Sequence, residues 1–244
     1  LNAGRATGTS TDGFGGTDTL VNINFVTGSA FADQLTGTSD FIFEAFQGGD
    51  GDDVIDGGAI TDTVNTSNSN RVEYGNATGA VTVDFDTTDS VGLVGGAAAR
   101  ATGAAGNDTL FNFNNVRGGG FADALYGSAR TDLTESFEGR DGNDTIDGGG
   151  GNDIARYDNA NSSVVVTLNA GTDGNGQVYG SSTRLNDNDV LYNIEGLRGS
   201  HYGDTLTGGN PNTDGFEFFW GMGGNDVIDG GAGYDRAEYT NSMQ

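Results

Sequence analysis

The fold is decided by a nine-residue stretch that reads GGDGDDVID at positions 48–56. It fits the pattern G-G-x-G-x-D-x-U-x, in which U is a large apolar residue. Glycine permits the positive φ of a tight turn and leaves backbone carbonyls accessible, and Asp53 offers a short anionic oxygen donor. Ile55 starts a short strand and is predicted to point inward. An oxygen-rich turn and a core residue thus recur within nine positions.

This nonapeptide occurs twice in succession at three places, which are residues 48–65, 139–156 and 221–238. In each pair the aspartates at the sixth position lie nine residues apart. Two nonapeptides make one coil of about 18 residues. Stacked coils would then place Asp carboxylates and Gly carbonyls of neighbouring coils around one cation, and Ca²⁺ typically takes six to eight oxygen ligands.

We therefore predict several Ca²⁺ sites at the turns of the nonapeptides. In the first pair the predicted ligands are Gly48, Gly49, Gly51, Asp53, Gly57 and Asp62. In the second pair they are Gly139, Gly142, Asp144, Gly148, Gly149, Gly151 and Asp153. In the third pair they are Gly221, Gly224, Asp226, Gly230, Gly231, Gly233 and Asp235. Arg140 and Met222 replace the second glycine and Ile60 replaces a fourth glycine, so weaker binding is expected there.

Further aspartates recur outside the sixth position. Three of them precede a nonapeptide aspartate by about one coil plus a variable loop, and each pair is predicted to flank a shared Ca²⁺ layer: Asp33 with Asp53, Asp123 with Asp144, and Asp204 with Asp226. Those that precede a Gly-Gly pair are either additional ligands or solvated carboxylates: Asp56, Asp147 and Asp229. Those that follow Gly- and Asn-rich turns are either turn-forming residues or ligands: Asp18, Asp108 and Asp189.

A longer period encloses the nonapeptides. Tyr74, Tyr157 and Tyr239 lie 83 and 82 residues apart, and the first two precede alternating, strand-like stretches. Three long repeats are predicted in one continuous array, at residues 1–84, 85–167 and 168–244. Because the sequence does not begin with Met and stops where another strand is due, we expect it to be a segment of a longer chain.

The composition excludes several classes of function. The chain has 244 residues with 45 Gly, one Pro and no Cys, and its net charge is −25 with only 10 basic residues, all of them arginine. It cannot form the basic face of a nucleic-acid-binding protein, it has no apolar run long enough to span a membrane, and it has no thiolate metal site. The single histidine, His201, is expected in an exposed loop, so no enzyme activity is predicted.

The repeats resemble the RTX calcium-binding repeats of secreted bacterial proteins over almost the whole chain. The resemblance is carried by the six nonapeptides and by the order of Asp-x-Ala-x-Tyr, Val-x-Val-x-Leu, Asn-Asp-Thr-Leu and Phe-Ala-Asp-x-Leu in the long unit. It implies an all-β fold, namely a right-handed parallel β-roll or β-solenoid with Ca²⁺ at its turns. It also implies type I secretion in an unfolded state to the extracellular space or cell surface, but no single activity.

Two functions from different classes are open at this point. The first is a structural, Ca²⁺-dependent segment of a large surface protein, such as an adhesin stalk, an S-layer component or a filament subunit, which folds and assembles with copies of itself. The second is a carbohydrate-binding or stabilising module of a secreted polysaccharide-modifying enzyme or protease. In that case the aromatic run at 216–220 would contact glycans; otherwise it packs in the core or caps a coil.

Overall fold

The computed structural model describes residues 8–11, 16–38, 43–58, 70–85, 99–184, 187–209 and 216–239. These residues are all-β, with 23 strands and no helix, as predicted for the class. In these ranges no helix is therefore long and apolar enough to cross a membrane. The strands are β1 (Gly8–Thr11), β2 (Thr17–Leu20), β3 (Phe25–Thr27), β4 (Gln34–Thr36), β5 (Ala45–Gln47), β6 (Val54–Asp56), β7 (Arg71–Glu73), β8 (Val81–Asp84), β9 (Ala99–Gly103), β10 (Gly106–Phe111), β11 (Asn115–Arg117), β12 (Ala124–Tyr126), β13 (Ser136–Glu138), β14 (Thr145–Asp147), β15 (Ile154–Arg156), β16 (Val165–Thr172), β17 (Val178–Thr183), β18 (Val190–Tyr192), β19 (Gly196–Arg198), β20 (Thr205–Thr207), β21 (Phe218–Trp220), β22 (Val227–Asp229) and β23 (Arg236–Ala237).

The strands form two sheets. The large sheet has 14 strands in the order β2-β1-β4-β6-β10-β9-β8-β12-β14-β18-β17-β16-β20-β22, and the small sheet has nine in the order β23-β21-β19-β15-β13-β11-β7-β5-β3. From β3 onward, consecutive strands alternate between the sheets, except that β8–β10 and β16–β18 each remain in the large sheet. The described pairings of the small sheet are all parallel, because each return to it passes through the large sheet.

The core lies between the two sheets and is built from the middle residues of the short strands. Side chains alternate across a strand, so a three-residue strand directs its middle residue inward and its outer two residues to the opposite face. Ile55, Phe137, Leu197 and Phe219 are such middle residues, and each is at most 1% exposed. Burial of each contributes about 1.5–3 kcal/mol. The U positions Ile55, Ile146 and Ala155 of the first two nonapeptide pairs are therefore core positions, whereas Ile228 is half-buried and Ala237 is exposed.

Two antiparallel meanders, β8–β10 and β16–β18, interrupt the alternation. In the first meander, β10 pairs with β6 and β8 pairs with β12. The large sheet therefore has three strands between β6 and β12, two more than one coil supplies. In the small sheet no strand lies between β7 and β11, which pair directly. Tyr74 and Tyr157 follow β7 and β15 and are buried in the core beside the meanders. Their hydroxyls donate to Asp108 Oδ2 at 3.0 Å and to Asp189 Oδ2 at 3.1 Å. The tyrosine spacing thus marks where the meanders occur.

Candidate metal centre

The turns that lead into the large sheet carry a row of aspartates. Each aspartate precedes a core residue by two positions in the sequence. We call this row the aspartate ladder, and its members are Asp33, Asp53, Asp108, Asp123, Asp144, Asp189, Asp204 and Asp226. The Oδ1 atom of one aspartate accepts the backbone N–H of its neighbour from Asp33 through Asp53 to Asp108, from Asp123 through Asp144 to Asp189, and from Asp204 to Asp226. Between these runs Val81 N–H and Val164 N–H donate to Asp123 and Asp204 instead. The three aspartate pairs predicted to share a layer are such neighbours, with N···O distances of 2.8 Å (Asp33 to Asp53), 2.8 Å (Asp123 to Asp144) and 2.9 Å (Asp204 to Asp226).

The turns that lead into the small sheet carry a second row, which we call the mixed ladder. Its members are Glu44, Asn70, Asn114, Glu135, Asp153, Glu195, Glu217 and Asp235. Here Glu135 N–H donates to Asp153 Oδ1 at 2.9 Å, and Asp153 N–H donates to Glu195 Oε2 at 2.9 Å. The nonapeptide pattern predicted Asp153 and Asp235 but missed the glutamates, which lie outside it. The signal that could have found them is the recurrence of a glutamate 11 to 13 residues after Asp33, Asp123 and Asp204.

We call the carboxylate oxygen that does not accept a ladder hydrogen bond the second oxygen. The turns of both ladders divide into two kinds, according to whether a backbone N–H donates to this second oxygen. In a closed turn, a backbone N–H of the turn itself donates to this oxygen. Gly119 N–H donates to Asp123 Oδ2 at 2.6 Å, and Ser200 N–H donates to Asp204 Oδ2 at 2.5 Å. The turn of Asp33 is closed in the same way by Ser29 N–H. These carboxylates are therefore held by donors of the protein.

Glutamates close the longer turns into the small sheet. The backbone N–H groups of Thr38, Ser128 and Gly209 donate to the carboxylates of Glu44, Glu135 and Glu217 at 2.8, 2.7 and 2.9 Å. From the first turn glycine to the carboxylate these turns span seven to nine residues, against five in the closed aspartate turns. The additional methylene of glutamate reaches back across the longer loop, which explains the residue type.

In an open turn the second carboxylate oxygen has no such donor. Asp53 Oδ2, Asp144 Oδ2 and Asp153 Oδ2 are buried and have no hydrogen-bond partner among the described residues. The same holds for Oδ1 of Asp235, and Glu217 has one such oxygen although Gly209 closes its turn. A buried carboxylate oxygen without a partner is costly, so these positions favour a bound positive group. All but Glu217 belong to nonapeptides.

A left-handed backbone at the second turn position distinguishes the open turns. The φ angle is 108° at Gly49, 75° at Arg140, 78° at Gly149 and 68° at Met222. This conformation directs the peptide N–H away from the carboxylate, whereas Gly119 of a closed turn has no positive φ and donates its N–H. The left-handed conformation, and not a glycine pair in itself, therefore distinguishes an open turn, since Arg140 and Met222 adopt it and Gly119 does not.

The open turn of Asp53 is lined by oxygen and leaves no room for a side chain at Gly48 or Gly49. A Cβ on Gly48 would lie 2.0 Å from Asp53 Oδ2, and a Cβ on Gly49 would lie 1.8 Å from the carbonyl oxygen of Ser29 in the neighbouring turn. Carboxylate and carbonyl oxygens are the donor set of a hard cation such as Ca²⁺. Within the described ranges no three acidic, His or Cys side chains converge on one point, so backbone carbonyls would have to supply several of the ligands.

Burial raises the pKa of the open-turn carboxylates. The pKa of Asp53 rises to about 6, that of Asp144 to about 8 and that of Asp153 to about 9. Desolvation is the largest cause in each case; the backbone N–H bond opposes it, and the charges of neighbouring ladder carboxylates reinforce it. Near neutral pH Asp144 and Asp153 therefore favour a proton or a bound cation in the folded chain, and Asp53 does so at slightly lower pH.

Asp56, Asp147 and Asp229 lie on the outer face of the large sheet, at the third position of their strands. Each accepts a backbone N–H two residues ahead through Oδ1, at 2.9 Å for Asp56 and 3.1 Å for Asp147 and Asp229. Asp147 Oδ1 also accepts the Asn193 side-chain amide at 2.7 Å. These contacts fix the start of the next turn, so these aspartates are not simply solvated.

The remaining predicted residues divide among three situations. Asp108 and Asp189 accept the N–H of Asp53 and Asp144 at 3.0 Å, and tyrosine hydroxyls occupy their second oxygens. Asp18 is exposed on β2, at the edge of the large sheet. Asp62 lies outside the described residues. The ladder is thus interrupted at each meander, where Val81 N–H and Val164 N–H donate to the next aspartate and a tyrosine hydroxyl satisfies the last one.

The side chain of Arg140 can be tested for its effect on the open turn. Arg140 is exposed and holds φ at 75°, a conformation that costs a non-glycine residue about 1 kcal/mol. Arg140→Gly is expected to raise the free energy of unfolding by about that amount in urea titrations with Ca²⁺. Arg140→Ala is the matched control, since it removes the side chain but keeps the strain and should give no such gain. Equal stability of the two variants would contradict the expectation.

Comparison with known proteins supplies no family for this chain. No protein-family model matches the sequence, and no curated protein matches it. The case for a cation site therefore rests on the ladders and the open turns.

Proposed function

We propose that this chain is a Ca²⁺-stabilised structural repeat segment of a secreted bacterial surface protein, folded as a right-handed parallel β-roll. The alternation of short strands between two sheets supports the β-roll, because each coil contributes one strand to either sheet outside the meanders. The RTX-like nonapeptides support the handedness and the export route by resemblance. Such a chain would reach the cell surface unfolded and fold there.

The observation that carries this proposal is the set of buried carboxylate oxygens without partners in the open turns. Asp53, Asp144 and Asp153 would hold Ca²⁺ together with backbone carbonyls of their own and neighbouring turns. The cation would supply the positive charge that burial of these carboxylates requires. Since the sites join neighbouring coils, the binding free energy would become folding free energy.

A structural role suits this arrangement better than catalysis. The ladders run along both sheets instead of converging on one pocket, and His201 lies exposed in a turn as expected. Extracellular modules bind Ca²⁺ in the range of about 10⁻⁴–10⁻³ M, so such sites would fill outside the cell and stay empty in the cytosol. Coil stacking would then form a stalk, lattice or filament component that can assemble with further copies.

The proposal is tested by comparing Asp144→Asn with Asp123→Asn. In the first variant the amide oxygen keeps the ladder bond from Asp123 N–H, but the anionic ligand of an open turn is lost. We expect at least one Ca²⁺ fewer per chain by isothermal titration calorimetry, together with a more stable fold in chelator. The neutral amide removes the cost of the buried charge.

Asp123→Asn is the matched control because both oxygens of Asp123 already accept backbone N–H groups, from Val81 and Gly119. It should keep the full Ca²⁺ stoichiometry and lose about 1–3 kcal/mol of stability, since one donor is left without an acceptor. Equal loss of Ca²⁺ in both variants would contradict the assignment of sites to open turns. No Ca²⁺ binding by the unmodified chain would contradict the proposed function itself.

The carbohydrate-binding alternative has one observation in its favour. Of the aromatic run, Phe219 lies in the core as expected, but Trp220 lies on the outer face of the small sheet, half-buried. Phe216 and Phe218 pack beside it on that face, with ring centroids 6.0 Å apart. Ca²⁺-dependent light scattering without glycan binding would favour the structural role alone, whereas glycan binding lost in Trp220→Ala would favour the module.

A further inference from the structure

A groove of about 210 Å³ runs across the outer face of the small sheet. It crosses β11, β13, β15, β19 and β21, which are neighbours in that sheet. Its walls include Asn115, Ser136, Ile154, Arg156, Arg198 and Trp220. Since one water takes about 30 Å³ of liquid volume, the groove has room for one small ring with its substituents.

Two arginines at equivalent positions differ in their neighbours. Arg117 and Arg198 are the third residues of β11 and β19. Arg117 pairs with Glu138 Oε2 at 2.7 Å on one side and with Glu73 Oε1 at 3.3 Å on the other. The positions that flank Arg198 in the sheet are occupied by Arg156 and Trp220 instead. Arg198 therefore lacks both of the neighbouring carboxylates that Arg117 has.

Arg198 consequently keeps a poorly compensated positive charge. It pairs with Asp158 Oδ2 at 3.8 Å, while Arg156 holds the same carboxylate with two hydrogen bonds of 3.0 and 2.7 Å. Burial lowers the pKa of Arg198, and the charge of Arg156 lowers it further, although Asp158 opposes this. An anion in the groove would remove this imbalance.

Trp220 provides a fixed, flat surface next to Arg198. Its Nε1–H donates to Glu238 Oε2 at 3.1 Å, and the Phe218 ring packs edge-on with centroids 5.1 Å apart. The equivalent positions of the other repeats hold Gln47 and Glu138, so this surface occurs once in the described repeats. An indole face beside a guanidinium is suited to a ring that is apolar on its face and polar at its edge.

We propose that this groove binds an acidic sugar residue, with the sugar carboxylate at Arg198 and the face of the ring against Trp220. A guanidinium matches the two oxygens of a carboxylate, so Arg198 would fix the acidic group of the sugar beside Trp220. A nucleic acid is a poor occupant, because two arginines in a chain of net charge −25 cannot offset a phosphate backbone. The site is independent of Ca²⁺ ligation in the ladders.

The test compares trigalacturonic acid with its methyl ester, in which each carboxylate is replaced by a neutral ester. Binding to the full chain is followed by the fluorescence of its single tryptophan, in Ca²⁺-containing buffer in which circular dichroism shows the fold. We expect the acid to bind at least about tenfold more tightly than the ester, as for a charge-assisted pair. Arg198→Gln should abolish this preference, and Trp220→Ala, followed by calorimetry, should weaken both ligands.

Arg117→Gln is the matched control, since it makes the same change at an equivalent arginine outside the groove. It should leave both affinities within about twofold of the unmodified chain. Equal effects of Arg117→Gln and Arg198→Gln would overturn the proposal. Inorganic phosphate that displaces the acid at equal concentration would show a simple anion site and overturn the sugar assignment. Absence of binding, or of any preference for the acid, by the unmodified folded chain would also overturn it, whatever the variants do.

Discussion

Chelation of Ca²⁺ at pH 7.5 is expected to unfold the chain, with the far-UV circular dichroism changing from a β spectrum to that of a disordered chain. The open-turn carboxylates Asp53, Asp144 and Asp153 would then be buried without a positive partner. The chain as a whole carries 35 acidic and 10 basic residues, so self-repulsion acts in the same direction. Loss of the fold should be complete, because each coil depends on its neighbours for burial of its core residues.

Re-addition of Ca²⁺ is expected to restore the β spectrum, while Mg²⁺ at the same concentration should restore little of it. Mg²⁺ requires near-octahedral geometry and keeps several of its waters, whereas Ca²⁺ accepts the irregular carbonyl-rich sites of a turn. Sodium chloride at matched ionic strength is the control for screening. A chain that keeps its β spectrum in chelator and does not respond to Ca²⁺ would contradict the proposed function. Light scattering on the same samples separates a folded monomer from an assembly.

The local part of this structure could be predicted from sequence, and the non-local part could not. The nonapeptide predicts a glycine turn followed by an inward residue, and Ile55 is a core residue as expected. The stretch 81–85 reads as a strand, but nothing in its spacing indicates that β10, and not β8, lies beside β6. Strand order in a meander depends on pairing between distant segments, which a periodic pattern does not encode.

The same limit applies to the candidate site. Residue spacing predicts that Asp123 and Asp144 are neighbours, and they are hydrogen-bonded neighbours in the ladder. It does not show that Gly119 N–H already occupies the second oxygen of Asp123, because this depends on the φ angle at one turn residue. Arg140 and Met222 show the converse, since they replace glycine and yet adopt the left-handed conformation of an open turn. Tertiary context determines the conformation at these positions, at a cost in strain.

Protons are expected to substitute in part for Ca²⁺, so that in cation-depleted buffer the free energy of unfolding falls as the pH rises from about 4 to 9. Asp144 and Asp153 have pKa values raised from 3.8 to about 8 and about 9. The folded chain therefore binds more protons than the unfolded chain between these limits. The stabilisation is present below the unfolded pKa and is lost as the pH rises through the folded pKa. Carboxylates with a lowered pKa, such as Asp132 beside Arg130, change charge below this window.

The expected effect is large. At about 1.4 kcal/mol for each pKa unit, Asp144 and Asp153 together disfavour the folded chain at neutral pH by a free energy on the order of 10 kcal/mol, which is comparable to the total stability of a domain. Urea titrations in cation-depleted buffer should show a fold near pH 4.5 that is lost by pH 7.5, and saturating Ca²⁺ should flatten this dependence. Asp144→Asn should flatten it in part, because the amide does not titrate. A stability that rises with pH without Ca²⁺ would mean that these carboxylates are charged and paired in the folded chain, and no cation would then be needed in the open turns.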